Sequence, residues 1–105
     1  MRRGEIYRVR LGKRRGHEQA GARYAVIVQA DELLGLATAI VAPTSTRARP
    51  ATFRPEIEVG DGKTRVLVEQ LRVVDIAALG ELAGVLTAEE HRTVDDALAL
   101  VLGLA

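Results

Sequence analysis

The segment Arg15-Gly16-His17-Glu18-Gln19-Ala20-Gly21-Ala22-Arg23-Tyr24-Ala25-Val26-Ile27-Val28-Gln29 runs from a polar, glycine-punctuated loop straight into a continuous apolar stretch. That order sets Glu18, Gln19 and Arg23 at the mouth of a buried strand, where a rigid scaffold limits how far side chains wander. Arg23 offers a planar fork of donors that fits phosphate oxygens and stabilises negative charge developing on them. The plainer alternative is an ion pair with Glu18 or another nearby carboxylate. Glu18 can orient the arginine or accept from the exocyclic amine of a base, and Gln19 can both donate and accept. Both also suit a solvent-facing loop that closes the fold. His17 lies where a general acid or base would be useful, yet a lone loop histidine is more often solvated surface. A second polar run, Thr44-Ser45-Thr46 followed by Arg47 and Arg49, offers hydroxyls that can donate to an oxyanion or simply satisfy the backbone of a turn.

Composition removes several kinds of chemistry. With no cysteine, the chain has no disulfide, thiolate nucleophile or cysteine metal site. His17 and His91 alone do not build a typical zinc site, so no metal is expected. No window has the make-up of a signal peptide, and no apolar run reaches the roughly 20 residues of a membrane span. A cytoplasmic protein is the expectation. The net charge of +1 hides a split. Residues 1–16 carry seven Lys and Arg against Glu5, a balance of +6, whereas residues 75–105 carry Arg92 against six acidic side chains, a balance of −5. One face for a polyanion and another turned away would produce this asymmetry, as would a general excess of arginine.

At 105 residues the chain reads as one domain, 1–105, with a modest core that a partner subunit would help to complete. Ile6 to Leu11 alternates with period two, placing Tyr7, Val9 and Leu11 on one face and Arg8 and Arg10 on the other, as in a half-exposed strand. Tyr24 to Gln29 is apolar and β-branched, a central strand covered on both sides. Asp31 to Gly35 suits one helical turn. Ala37 to Pro43 reads as a third strand, ended by Pro43 for want of an N–H, followed by a polar loop from Thr44 to Thr52. Phe53 to Val59 alternates and reads as an edge strand because of Pro55, with a hairpin turn at Gly60-Asp61-Gly62. Thr64 to Val68 and Leu71 to Val74 read as further strands. One long helix begins at Thr87, whose Thr-x-x-Glu spacing to Glu90 makes a capping box. Val94, Leu98, Val101 and Leu102 supply its apolar stripe, and Gly103 closes it. Short strands with one terminal helix and no βαβ alternation indicate a small β-rich α+β domain, an antiparallel and partly open barrel.

Four pieces of this chain, in order, resemble the MazF/PemK toxin endoribonucleases. They are Arg3-Gly4-Glu5-Ile6-Tyr7, the Gly16-x-Glu18-Gln19-x-Gly21-x-Arg23 run before the second strand, Val41-Ala42-Pro43-Thr44-Ser45-Thr46, and Val68-Glu69-Gln70-Leu71-Arg72-Val73-Val74-Asp75. The resemblance implies an SH3-like (PemK/CcdB-like) barrel with a C-terminal helix. It implies a type II toxin that cuts single-stranded RNA without metal or cofactor, through attack of the substrate's 2′-OH, leaving a 2′,3′-cyclic phosphate and a 5′-OH. It further implies a homodimer inhibited by a cognate MazE-like antitoxin through a disordered acidic segment. Arg23 matches the family's essential arginine, and Ser45 matches the position of its second essential residue, usually Thr. A one-residue shift would make Thr44 or Thr46 the functional hydroxyl instead. Glu18, Gln19, Thr44, Thr46, Arg47, Arg49 and Gln70 are the expected substrate-binding residues, with Arg54 and the basic first strand holding flanking phosphates. Tyr24 stands where the family commonly has Pro.

Two other functions compete on the same sequence. A CcdB-like toxin would present its terminal helix to a protein, poisoning gyrase without cutting RNA. A non-catalytic nucleic-acid-binding barrel would keep the basic strand and tolerate loss of Arg23. The Glu18, Arg23 and Ser45 constellation favours the ribonuclease, and the scarcity of aromatics (Tyr7, Tyr24 and Phe53) argues against a general single-strand binder.

Overall fold

The elements follow as β1 (Glu5–Leu11), β2 (Gly21–Ile27), β3 (Thr38–Ser45), β4 (Glu56–Val59), β5 (Gly62–Val66), β6 (Arg72–Asp75), β7 (Leu79–Val85) and α1 (Ala88–Leu102). They belong to a computed structural model that describes residues 1–12, 21–60 and 62–104. The strands pair antiparallel in the order β4-β5-β3-β2-β1-β7, and β6 joins β3 on the same side as β5. The result is a curled half-barrel with one C-terminal helix, β-rich and α+β.

Alternation along β1 and β2 divides the core between the two faces of the sheet. Ile6, Val26 and Ala42 pack with Ile57, Val66, Val68, Leu86, Val94 and Ala97, the last two from α1. On the opposite face Val9, Leu11, Ala25 and Ile27 pack with Ala39 and Val41. The central strand is thus covered on both sides, as its continuous apolar run requires. Helix α1 has the expected capping box: Glu90 N–H donates to Thr87 Oγ1 at 3.1 Å and Thr87 N–H to Glu90 Oε1 at 2.9 Å. Gly103, at φ +72°, ends the helix. Val94 and Ala97 are its buried positions and Leu98 and Val101 pack half-buried against the same cluster, whereas Leu102 is exposed.

Several boundaries differ from expectation, each for a physical reason. Strand β3 runs through Pro43 to Ser45, so Thr44 and Ser45 are strand residues rather than loop. Its outer partner changes from β6, paired at 38–41, to β5, paired at 44–45. Pro43 falls at that changeover, where no ladder donor is required, and its carbonyl accepts from Leu67 N–H at 2.8 Å. Strand β4 begins only at Glu56: Phe53 and Arg54 lie in a turn that Arg54 N–H closes onto Ala51 O at 3.0 Å. Its edge position is as expected. Val68 to Gln70 forms a 3-10 turn instead of prolonging β5. The segment Leu79–Val85, which has no apolar alternation, forms β7 against β1.

The amino-terminal corner carries a pH-sensitive contact. Glu5 Oε1 accepts from Arg2 N–H at 2.7 Å and from the Tyr7 hydroxyl at 2.8 Å. Desolvation pushes this carboxyl up, but the Tyr7 and Arg2 hydrogen bonds and nearby positive charge outweigh it, so Glu5 titrates below its ordinary 4.5. The same hydrogen bond, then desolvation, holds Tyr7 above its ordinary 10.0. A carboxyl depressed by folding adds stability above its unfolded pKa and loses it as pH falls through the folded value. Between about pH 5 and about pH 3 the urea midpoint of the native protein is therefore expected to fall more steeply than that of Glu5→Gln.

Candidate active site

The β2–β3 ladder pairs Ala25 with Pro43, Val26 with Ala42 and Ile27 with Val41. Continued past its last pair, this register sets Tyr24 level with Thr44 and Arg23 level with Ser45. The Thr44 hydroxyl donating to Tyr24 O at 2.9 Å agrees with that alignment. On the other side of β3, Ser45 is paired with Arg65 of β5. Strand topology thus places a hydroxyl residue between two arginine positions twenty or more residues away in sequence.

Beside the end of β3 is a cleft of about 370 Å³ lined by Arg8, Arg23, Tyr24, Thr44, Ser45, Thr46, Val59, Gly62, Lys63 and Thr64. Residues from both alternations of β2 and β3 line it, and it runs from the middle of β1 and β2 to the end of β3 and the β4–β5 hairpin. Three cations and four hydroxyl side chains besides Tyr24 line it, a composition suited to holding a phosphate.

Hydrogen bonding separates the three candidate hydroxyls. Thr44 is buried and its proton is committed to the Tyr24 carbonyl. Ser45 is 7% exposed, and its Oγ accepts from Arg47 N–H at 3.2 Å, which orients the oxygen and leaves its own proton to donate. Thr46 is exposed. Arg23 is exposed at the start of β2, engaged with neighbouring protein groups yet accessible from the cleft.

Of the residues singled out from the sequence, Arg23, Thr44, Ser45 and Thr46 come together. Arg47, Arg49 and Gln70 are not among the described residues lining the cleft: Arg47 and Arg49 are exposed on the β3–β4 connection and Gln70 ends a 3-10 turn. Glu18, Gln19 and His17 lie outside the described residues. Arg54 differs from expectation. Its Nε donates to Glu69 Oε2 at 2.7 Å and its Nη1 to Arg49 O at 3.3 Å, so it braces the β3–β4 connection rather than offering itself to a flanking phosphate. Lys63 and Thr64 were not legible as site residues. They arrive because the chain turns at Gly60, at φ +63°, and folds β5 back beside the end of β3.

A family model described as PemK-like, MazF-like toxin of type II toxin-antitoxin system matches residues 2–102. The chain belongs to that toxin family. This PemK-like chain is 44% identical over 104 residues to the candidate toxin Rv3098A of Mycobacterium tuberculosis (strain ATCC 25618 / H37Rv), with 97% of each covered. In fold it is similar to an endoribonuclease in complex with its cognate antitoxin from a mycobacterial species, with a TM-score of 0.86 at 23% identity over 100% of this chain and 97% of that one. MazF of Deinococcus radiodurans gives a TM-score of 0.84 at 22% identity, covering 98% and 96% respectively. The Mycobacterium tuberculosis toxin MazF-mt6 gives 0.81 at 19%, covering 96% and 98%. The MazF-like half-barrel is therefore the scaffold on which the cleft is built.

Proposed function

We propose that this toxin is an endoribonuclease that cuts single-stranded RNA, with the substrate's own 2′-OH as nucleophile. The observation that carries the reading is the convergence of Arg23 with the Thr44–Thr46 hydroxyls in a cleft that Arg8 and Lys63 also line. In the reaction the 2′ oxygen forms a bond to phosphorus while the bond to the 5′ oxygen breaks. The 2′ proton passes to solvent and the departing oxygen takes one up, giving a 2′,3′-cyclic phosphate and a 5′-OH. The protein need supply no nucleophile of its own, only position and charge stabilisation. Arg23 holds the non-bridging oxygens as negative charge grows on them; a guanidinium cannot be deprotonated readily enough to act as a base. The Ser45 hydroxyl donates a further hydrogen bond to the same charge.

A homodimer, and a MazE-like antitoxin whose acidic segment competes for the basic cleft, complete the proposal. One of the similar solved structures is an endoribonuclease with its cognate antitoxin, which supports a partner of that kind. The test is incubation of purified protein with a long single-stranded RNA in EDTA, followed by end mapping. Discrete cuts with 5′-OH ends are expected; intact RNA across varied sequences, with the protein folded, would overturn the reading.

The hydroxyls can be separated by substitution. Ser45→Ala is expected to lower kcat about 100-fold, as when one oxyanion donor is removed. Thr44→Val is expected to cost about 1 kcal/mol of stability, the usual loss for one buried hydrogen bond, with a smaller effect on kcat. Single-turnover cleavage and urea unfolding of both variants would show the assignment wrong if Thr44→Val were the slower enzyme.

A further inference from the structure

The reaction leaves one cleft-lining pair without a task. The Arg8 guanidinium carbon lies over the Tyr24 ring, 5.2 Å from its centroid, and Nη1 donates to the Tyr24 hydroxyl at 3.4 Å. Register produces the pair: Arg8 is directly opposite Tyr24 in the β1–β2 ladder, so both side chains rise from one face. The ring is half-buried and packs against the core cluster that holds Ile6 and Val26. Its backbone carbonyl is fixed by the Thr44 hydroxyl. Arg8 above it is exposed. A planar cation therefore lies on an anchored aromatic ring in the wall of the cleft, one residue along the strand from Arg23. Among the described residues lining the cleft, Tyr24 is the one aromatic.

Unpaired bases are held by stacking on aromatic rings and guanidinium planes, and such contacts favour a base that is splayed out of a single strand. We propose that Arg8 and Tyr24 form a stacking platform for the unpaired base beside the scissile phosphate, which fixes that phosphate's distance from Arg23 and Ser45. The proposal rests on the ribonuclease reading of the cleft. It requires the plane of Arg8 as well as its charge, which separates it from a simple phosphate contact.

The probe is a single-stranded RNA bearing the mapped cleavage sequence, with 2′-deoxyribose at the scissile position and 2-aminopurine placed on either side in turn; if no cut is found, mixed-sequence strands carry 2-aminopurine at successive positions. Binding to the wild type is expected to quench the 2-aminopurine at one of the two positions. Arg8→Lys and Arg8→Ala should both lose most of the quenching and weaken binding about tenfold, the order of one lost base stack. Tyr24→Phe, which keeps the ring, should restore most of it, and Tyr24→Leu should not. On a cleavable strand the Arg8 variants should raise KM and lower kcat together, because losing the stack weakens binding and also frees the phosphate from its position. Since Arg8 is exposed, its variants should fold, which circular dichroism checks. Cleavage with no quenching that depends on Arg8 and Tyr24, or Arg8→Lys matching the wild type, overturns the platform and leaves the ribonuclease standing. Quenching that depends on both residues, without cleavage, overturns the ribonuclease and with it the platform's place beside a scissile phosphate; the absence of both overturns both.

Discussion

Arg23→Ala is expected to slow cleavage of single-stranded RNA by about 10²- to 10³-fold or more, the range for removing one donor to charge that develops in the transition state. The loss should fall on kcat, because the arginine is assigned to charge that exists fully only as the pentavalent phosphorus forms. Arg23→Lys keeps the positive charge but not the fork of donors, so it should recover part of the rate and not all of it. Arg23 is exposed at the first turn-in of β2, beyond the last pair of the β2–β3 ladder. Its removal should therefore leave the urea transition nearly unmoved. A variant that bound RNA weakly yet cut it at the native kcat would show instead that Arg23 holds a flanking phosphate.

The largest effect on stability is expected at Gly4, far in role from the cleft. Its φ is +92°, a region that L side chains rarely occupy. Its N–H donates to Ile27 O at 2.8 Å and its carbonyl accepts from Leu86 N–H at 2.9 Å, so it ties the start of β1 to the end of β2 and to the link between β7 and α1. A Cβ placed there would overlap the His91 ring. Backbone strain of about 1–2 kcal/mol and steric crowding of similar size give an expected cost of about 3 kcal/mol for Gly4→Ala. For a chain of this size that corresponds to a fall in Tm of about 15 °C. Adding His91→Ala should recover the crowding but not the strain, a coupling that a double-mutant cycle measures. If Gly4→Ala were within about 0.5 kcal/mol of the native protein, neither the strain nor the crowding would be real.

Both positions show which parts of this molecule could be read in advance. Local rules carried the elements that local chemistry determines: alternation found β1, the uninterrupted apolar run found β2, and Thr87 with Glu90 found the start of α1. Arg23 and Ser45 were reachable as candidates through the family resemblance, whereas the β2–β3 register that sets them level is seen only in the fold. What could not be read depends on contacts distant in sequence. Pro43 is harmless inside β3 only because the strand changes partner there, and no local rule reveals a change of partner. Strand β7 is a Gly- and Glu-containing stretch, LGELAGV, that becomes a strand because β1 offers it an edge. Lys63 enters the cleft through a hairpin, and Arg54 leaves the phosphate-binding set because Glu69, fifteen residues away, lies beside it. Charge counts locate a basic surface, but only the fold decides which arginines are left to serve it.

The reaction assigned to the cleft stands or falls on the substrate's own hydroxyl. Once end mapping gives a cut position, the decisive measurement is the single-turnover rate on two otherwise identical RNAs, one with ribose and one with 2′-deoxyribose on the 5′ side of that bond, with binding of each measured in parallel. The account predicts that the deoxy strand binds within a few-fold of the ribose strand and is not cut at that bond. Cleavage of the deoxy strand at a comparable rate would contradict it, because the attacking group would then have to come from water or from the protein.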